Sequence, residues 1–485
     1  MNTQIEESLD PADWDEFRKL AHRMLDDALD YQARVRERPV WQSVPDAVKA
    51  RLSTPVPRQG EGEAAAYRDY QELLAPYALG NIHPRFWGWV NGTGTPLGML
   101  AEMLCANLNV NAAGFNQGAT FAELQVLDWL KQVMGFPSTA SGILTSGGSM
   151  ANLIALNVAR HAKAPFAVRQ TGLAQQPRLK LYASTETHNS VQKAMELMGL
   201  GAESLAFIPV DADYRIDMDA LSHQVDADRR AGHLPFCVVA NAGTVNTGAV
   251  DPLAALADYC GEANLWLHVD GAFGALAILD PARNKLLAGM QRADSLAFDL
   301  HKWLYMPYEI GCTLIRDAAL HQAAFAVEAS YLHKLDGGVS KSGIAFGEYT
   351  PQLSRSFRAL KAWMNLKAYG LDKFARLIAQ NIRQAEFLRS LIQSSPQLEL
   401  LAPVTLNIVN FRYRANGIDG DALNSLNARI LIALQERGIA VPSSTLVNGR
   451  FAIRVAITNH RSRREDFEAL VAATIEIGEE FADNP

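Results

Sequence analysis

Short apolar runs alternate with amphipathic segments from about Gly142 onward, and this alternation predicts repeated strand–helix units. The predicted strands are residues 142–145, 179–183, 236–240, 265–269 and 295–298. Such alternation is typical of a mainly parallel sheet with helices on both faces. Ligands of these sheets lie at the carboxyl ends of the strands, so the polar residues that follow the strands are the candidates for chemistry.

The two ends of the chain have different patterns. Asp10-Pro11 is a predicted helix start, and apolar residues then recur at helical spacing from Phe17 to Tyr31. Residues 1–80 are too poor in apolar side chains for a core of their own, so we expect a helical segment that packs on a partner subunit. Residues 81–375 form the predicted large domain, and residues 376–485 a small α+β domain. Its expected elements are strands 406–413 and 451–457, and helices 421–436 and 462–481, the second with a Ser462/Glu465 capping box.

Composition narrows the class of function. The net charge is −7 and no basic run is present, which argues against nucleic acid or an anionic membrane as a partner. The acidic amino-terminal residues lack the order of a signal peptide, and no apolar stretch is long enough for a membrane span. The four cysteines are scattered in apolar runs, which predicts free thiols, no metal site and a cytoplasmic protein.

Polar residues follow four of the predicted strands. Residues 145–149 (TSGGS) precede a helix, whose first N–H groups can bind a phosphate. Asp270 is followed by small residues and can pair with a pyridinium nitrogen. Lys302 lies among apolar residues, where a lysine loses its proton readily and can form an imine. His188 can stack on an aromatic ring or exchange a proton.

Each of these features also has a plain structural interpretation. Taken singly, they are a glycine turn, a strand-end aspartate that caps a turn, a lysine extended along the surface, and a histidine that caps a helix. Their common position at the ends of different strands favours the functional interpretation, because four independent structural roles would otherwise have to coincide.

At this point the chain resembles the group II decarboxylases that depend on pyridoxal 5'-phosphate (PLP), the family of aromatic-L-amino-acid, histidine and glutamate decarboxylases. The resemblance covers nearly the whole chain. The segments that carry it are residues 38–41 (RPVW), 83–87 (HPRFW), 356–361 (SFRALK) and, most specifically, 265–303 with its His-Val-Asp, Ala-Asp-Ser and His-Lys-Trp motifs. It implies an α/β fold of the aspartate aminotransferase type (fold type I) with a mainly parallel seven-stranded sheet.

The resemblance also implies roles for single residues. Lys302 would carry PLP as a Schiff base, Asp270 would pair with the ring nitrogen, and Ala272 and His188 would cover the two ring faces. The other implied cofactor contacts are Gly148, Ser149, Thr244, Ser295 and His301. Tyr331 matches the tyrosine of a mobile catalytic loop, and Trp89, Asn91, Phe115 and Arg454 are the implied substrate contacts. Because that loop and Phe115 reach a neighbouring subunit's site in the family, a homodimer is implied.

Three departures from the family pattern bear on the site. Val245 follows Thr244 where relatives often have a second threonine. Asp299 stands where many relatives have asparagine, which brings a carboxylate near the phosphate and disfavours it unless the side chain points away. Asn91 and Gly92 differ from the aromatic-decarboxylase pattern, and we expect them to make the pocket more polar and open.

The expected reaction is decarboxylation of an L-amino acid to an amine, with an aromatic substrate favoured and glutamate or another polar one second. The first alternative is oxidative decarboxylation and deamination to an aldehyde. Relatives that make aldehydes often have phenylalanine at the loop tyrosine or lack the ring-stacking histidine, so Tyr331 and His188 favour the amine. A PLP-binding protein without turnover and an aminotransferase are the remaining alternatives.

Overall fold

A seven-stranded sheet lies at the centre of the computed structural model, which describes residues 7–327, 337–341 and 343–483. Its strands are β1 (Ser141–Thr145), β2 (Leu179–Ser184), β3 (Leu205–Ile208), β4 (Leu234–Asn241), β5 (Trp266–Asp270), β6 (Ser295–Asp299) and β7 (Gly311–Ile315). The spatial order is β1-β7-β6-β5-β4-β2-β3, and β7 runs antiparallel to both of its neighbours. The remaining pairs are parallel, which confirms the predicted fold class.

The five strands predicted from the sequence are present, with their ends shifted by one or two residues. Strands β3 and β7 were not predicted. The first is a four-residue edge strand, and the second contains Gly311 and Thr313, so neither is a continuous apolar run or shows clear alternation. Every residue of β2, β5, β6 and β7 is buried, because helices cover both faces of the sheet.

Helices surround this sheet and extend to both ends of the described chain. They are α1 (Trp14–Ala33), α2 (Asp46–Arg51), α3 (Glu63–Asp69), α4 (Pro96–Leu108), α5 (Gly118–Met134), α6 (Gly148–Lys163), α7 (Val168–Thr171), α8 (Ser190–Leu197), α9 (Met218–Arg230), α10 (Leu253–Glu262), α11 (Leu300–Trp303), α12 (Ala318–Phe325), α13 (Ala359–Tyr369), α14 (Leu371–Ser394), α15 (Gly420–Glu436) and α16 (Arg464–Asp483). No helix of the described residues is long and apolar enough to cross a membrane.

The amino-terminal helix differs from the prediction at its start. Its N-cap is Asp13, which accepts the backbone N–H groups of Asp15 and Glu16, so the Asp10-Pro11 start was wrong. No residue of α1 is buried, and Trp14 and Met24 are exposed on its apolar face. The predicted apolar stripe therefore exists, and its amino-terminal half, with Trp14, Phe17 and Met24, is exposed among the described residues, whereas Tyr31 at its other end lies under Arg38.

A second, antiparallel sheet lies in the carboxyl-terminal part, in the order β10-β11-β9-β8. Its strands are β8 (Leu398–Leu400), β9 (Ile408–Tyr413), β10 (Ser443–Val447) and β11 (Arg450–Ala456), of which β8 and β10 were not predicted. Trp87 joins this unit: its N–H donates to the Val441 carbonyl oxygen at 2.8 Å, and its ring stacks on Phe467.

The predicted capping box of α16 is wrong by one residue. The Ser462 hydroxyl donates to the Pro84 carbonyl oxygen and accepts the Trp87 indole N–H, so it ties the helix start to the preceding segment. Asp466 closes the helix end instead, because its carboxylate accepts the Arg463 N–H at 2.8 Å.

Candidate active site

A cavity of about 290 Å³ opens where the carboxyl ends of β4, β5 and β6 meet the edge of the small sheet. Six of the site residues predicted from the sequence line it together: Trp89, His188, Asp270, Ala272, Lys302 and Arg454. These residues come from segments that are far apart in the chain, and the parallel strands bring most of them to one edge.

Lys302 lies in the short helix α11, directly after β6. Its Nζ is 2.8 Å from Asp299 Oδ2, and the side chain is 22% exposed toward the cavity. The backbone of Gly92 packs against this helix so closely that a Cβ would lie 1.8 Å from the His301 carbonyl oxygen. Gly92 therefore makes room for the lysine's own backbone, and the expectation that it opens the pocket was wrong.

Asp270 is the last residue of β5 and is 4% exposed. Its Oδ2 accepts the Asn152 side-chain N–H at 2.7 Å, and its Oδ1 accepts the Ala272 backbone N–H at 3.1 Å. The protein thus fixes the orientation of this carboxylate on the side away from the cavity, while its other lone pairs can accept a proton-bearing nitrogen from the cavity.

His188 lies between β2 and α8, with its Nδ1 atom 2.8 Å from the Ser190 hydroxyl. Burial lowers the pKa of His188, and the positive charge of Lys302 acts in the same direction against the opposing effect of Asp270. The imidazole is therefore neutral near pH 7, which suits a ring that stacks on another flat ring.

The amino terminus of α6 forms an anion cradle beside Lys302. Gly147 has a positive φ of 151°, and a Cβ there would lie 3.1 Å from the His301 ring. Gly148 begins the helix, and Ser149 is exposed on its first turn. Three of the predicted phosphate contacts, Gly148, Ser149 and His301, are thus grouped around free helical N–H groups.

Asp299 lies at the same cradle and does not point away from it. The residue is 1% exposed, and a Cβ on Gly148 would lie 3.0 Å from its Oδ2. Neither carboxylate oxygen accepts a hydrogen bond of good geometry from the described residues, and the close ionic partner is Lys302. The departure noted in the sequence therefore puts a negative charge at the phosphate end of the site.

Two predicted cofactor contacts do not reach the cavity. Ser295 begins β6, at the opposite end of the strand from Lys302, and its hydroxyl bonds Trp266 and His268. The Thr244 hydroxyl is buried within its own turn, where it bonds Thr247 and accepts the Ala249 N–H. Both side chains are committed to internal hydrogen bonds, so the structure does not support their predicted contacts with the cofactor.

Two predicted substrate residues also lie outside the cavity lining. The Asn91 amide oxygen accepts the Tyr308 hydroxyl at 2.6 Å, so this amide is engaged away from the cavity. Phe115 has a positive φ of 69° and an exposed ring. Tyr331 lies outside the described residues.

Arg454 lines the cavity and holds other lining residues in place. Its guanidinium donates to the carbonyl oxygens of Trp89, Val245 and Asn246 and to the Ser443 hydroxyl. Burial lowers the pKa of Arg454 to about 10, so it stays charged at neutral pH. A buried cation surrounded by neutral acceptors favours an anionic group in the adjoining cavity.

Sequence reasoning missed Asn152, Ser190 and Asn246. Asn246 lines the cavity, whereas Asn152 and Ser190 hold Asp270 and His188 from behind. The available signal was Asn152 itself, a polar residue within the otherwise apolar run 150–156 of a helix that follows a glycine turn. A buried amide in such a run needs polar partners, and strand-end polar residues are the nearest candidates.

Comparison with known proteins identifies the family. Residues 45–414 match the pyridoxal-dependent decarboxylase conserved domain. The chain belongs to the pyridoxal-dependent decarboxylase family. It is 34% identical over 472 residues to an aromatic-L-amino-acid decarboxylase of Bacillus atrophaeus, with 96% of each chain covered. It is 29% identical over 468 residues to a phenylacetaldehyde synthase of Petunia hybrida, covering 93% of this decarboxylase and 91% of the relative.

The solved structures agree with this assignment. The decarboxylase superimposes on Oryza sativa TDC with PLP and tryptamine with a TM-score of 0.90 at 26% identity, over 98% of this chain and 100% of the other. The protein is a carboxy-lyase, and its cofactor is PLP. The residues fit that cofactor: a lysine amine, an oriented carboxylate and a helix amino terminus lie at one cavity, with Asp299 as the one feature that opposes a phosphate.

Proposed function

We propose that this decarboxylase converts an aromatic L-amino acid to the corresponding amine and CO2. The observation that carries the proposal is the cavity itself, in which Lys302, Asp270 and His188 meet the indole ring of Trp89. The similarity to an aromatic-L-amino-acid decarboxylase over 96% of both chains supports the same substrate class.

The residues divide the work of the reaction. Lys302 would hold the cofactor through its side-chain amine, and Asp270 would accept the N–H of the pyridine ring. Bound PLP supplies an electron sink for the pair of electrons left when CO2 departs. Ala272 and His188 would cover the two faces of the ring, and Gly148, Ser149 and His301 would bind the phosphate. Tyr331 or His188 would then return a proton to Cα.

Substrate contacts follow from the cavity walls. Trp89 offers an aromatic face, and Arg454 offers a positive charge that would attract the substrate carboxylate. Phe115 would reach the site of a second copy of the chain, which accounts for its exposed ring.

The proposed assembly is a homodimer with the active site near the subunit interface. The support is the exposed apolar face of α1, together with exposed Met103, Leu104 and Leu108 on α4. An uncovered stripe of this size is typical of an oligomer contact. A cytoplasmic location is also proposed, since all four cysteines are free.

Oxidative formation of an aldehyde is the second candidate, because the similar relatives include phenylacetaldehyde synthases. His188 and Tyr331 favour the amine, since each can protonate the carbon that loses CO2 and so prevent its oxidation.

A screen of the PLP-loaded protein with each proteinogenic L-amino acid tests the proposal, with CO2, amine, aldehyde and peroxide measured together. We expect CO2 and amine in equal amounts, fastest with tryptophan, tyrosine or phenylalanine. Lys302→Ala should abolish both products, whereas Lys285→Ala, an exposed lysine outside the cavity, should change neither. Aldehyde with peroxide would support the second candidate, and preference for glutamate would overturn the aromatic assignment.

A further inference from the structure

A continuous chain of buried polar side chains runs beneath the cavity. It begins at Trp266 and Ser295, where the indole N–H donates to the Ser295 hydroxyl oxygen at 2.8 Å. His268 Nδ1 is 2.9 Å from the same oxygen, and His268 Nε2 is 3.0 Å from Asn152 Oδ1. The residues Ser295, His268 and Asn152 are each 1% exposed or less, so water does not complete these bonds.

The chain divides at the Asn152 carboxamide. Its nitrogen donates to Asp270 Oδ2 at 2.7 Å and to the Ser190 hydroxyl oxygen at 3.0 Å. The Ser190 hydroxyl is in turn 2.8 Å from His188 Nδ1. One amide thus contacts both residues that would hold the cofactor ring, the carboxylate at its nitrogen and the imidazole on its face.

The chemistry of the groups fixes the direction of every bond. The Asp270 carboxylate only accepts, so the Asn152 nitrogen must face it and the Asn152 oxygen must face His268. His268 Nε2 therefore carries a hydrogen. Burial lowers the pKa of His268 to about 4, so the ring is neutral and its Nδ1 accepts the Ser295 O–H.

The bonds of the other arm, from Asn152 through Ser190 to His188, are also fixed in direction. The Ser190 oxygen accepts from Asn152, so its own hydrogen is free to be donated to His188 Nδ1. The Ser190 backbone N–H also donates to that nitrogen at 3.2 Å. Two donors on Nδ1 leave the hydrogen of the neutral imidazole on Nε2.

We propose that Asn152 is a positioning residue that orients Asp270 and, through Ser190, holds His188 as the neutral tautomer with its hydrogen on Nε2. The proposal rests on the proposed roles of Asp270 and His188 toward PLP. Its consequence is that Nδ1 of His188 is closed to protons, so the Nε2–H group is the hydrogen-bond donor that this neutral imidazole presents to the cavity. Ser295 is part of this hydrogen-bonded chain and lies away from the proposed phosphate site.

The test compares Asn152→Leu and Ser190→Ala with Asn157→Leu, a half-buried asparagine of the same helix that bonds Arg160 and Ala324 outside the cavity. The full-length protein is labelled with ¹⁵N-histidine, and the His188 signals are identified by their loss in His188→Gln. Affinity for PLP is measured in parallel by the change in visible absorbance.

We expect His188 of the unsubstituted protein to carry its hydrogen on Nε2. Ser190→Ala removes one hydrogen bond to the neutral ring and should raise the His188 titration midpoint by about half a pH unit, with PLP affinity within about threefold of the unsubstituted protein. Asn152→Leu should raise that midpoint and also weaken PLP binding about tenfold or more, because Asp270 loses its donor. Asn157→Leu should change neither quantity.

A hydrogen on Nδ1 in the unsubstituted protein would overturn the proposal, as would an unchanged His188 titration in both Asn152→Leu and Ser190→Ala. If Asn152→Leu does not fold, Ser190→Ala still tests the arm to His188. Failure of the proposed function has a different signature: the screen would give no amine from the aromatic amino acids, while the His188 tautomer and the PLP affinities of the variants would still be as stated.

Discussion

Asp270 and Asp299 end neighbouring strands of the large sheet, and both carboxylates are almost fully buried, yet their surroundings differ. Asp270 accepts a side-chain amide and a backbone N–H, and the amide itself is held by His268. Asp299 has the ion pair with Lys302 and no hydrogen bond of good geometry among the described residues.

The difference shows which end of the site is already organised. A carboxylate held by neutral donors keeps its place whatever enters the cavity, which suits a permanent partner of a ring nitrogen. A carboxylate that depends on one lysine loses its partner when that amine reacts. The end of the cavity with Asp270 is therefore preorganised, whereas Asp299, at the proposed phosphate end, is held by the ion pair with Lys302.

Substitution of Asp270, the carboxylate held by hydrogen bonds, should have the largest effect on activity. Asp270→Asn removes the charge that we propose pairs with the protonated pyridine, and loss of one partner of a buried charged pair costs about 3–5 kcal/mol. We expect kcat/KM to fall by about two hundred- to five thousandfold, measured by CO2 release at saturating PLP. Asp280→Asn, a buried aspartate outside the cavity, is the matched control, and equal losses in both variants would contradict a specific role for Asp270.

His268, which lies beneath Asp270 in the hydrogen-bonded chain, should make the free energy of unfolding depend on pH. The pKa of His268 is about 4 in the folded protein because of burial, against 6.5 for an unperturbed histidine, so the unfolded chain binds the extra proton between these values. The free energy of unfolding should therefore fall as pH drops from about 6.5 toward 4, with His268 contributing on the order of 3 kcal/mol.

Urea unfolding across this pH range measures the effect. His268→Gln should reduce the slope by the contribution of one proton. Other histidines whose pKa burial lowers to about 4, among them His83, His321 and His460, still contribute. His223→Gln changes an exposed histidine of α9 and serves as control. Identical slopes in His268→Gln and the unsubstituted protein would mean that His268 does not stay neutral in the fold.

Neutralising Asp299, the carboxylate that accepts no such hydrogen bond, should have the smallest effect. That effect should be tighter binding of PLP. Asp299→Asn keeps the shape of the side chain and removes a negative charge beside the α6 amino terminus, where the phosphate would bind. PLP affinity should rise about tenfold, a conservative figure for one charge repulsion at a partly screened site. Asp317→Asn, the N-cap of α12, is the control. Weaker binding in Asp299→Asn would show that the carboxylate assists the phosphate end.

Part of this site could be predicted from the sequence alone. Lys302, Asp270 and His188 each follow a predicted strand, and a parallel sheet brings strand ends together, so position along the chain was sufficient for them. Ser295 was misplaced because a motif names a residue without its direction. It lies four residues before Asp299, which is about 13 Å along a strand, and so belongs to the other end of β6.

The support residues needed the three-dimensional structure. Thr244 is next to a cavity glycine in sequence, but its hydroxyl closes its own turn, and only coordinates reveal that direction. From the sequence, Gly92 was expected to open the pocket, but its backbone packs against His301. Asn152 acts through contacts with β5 and α8, which are separated from it by 118 and 38 residues.

Borohydride reduction of the PLP-loaded protein shows directly whether Lys302 holds the cofactor. Reduction makes the link between cofactor and lysine permanent, and peptide mass spectrometry then locates it. We expect the added mass on the peptide that contains Lys302 and its loss in Lys302→Ala. Stoichiometric labelling of another lysine, or of none, would contradict it.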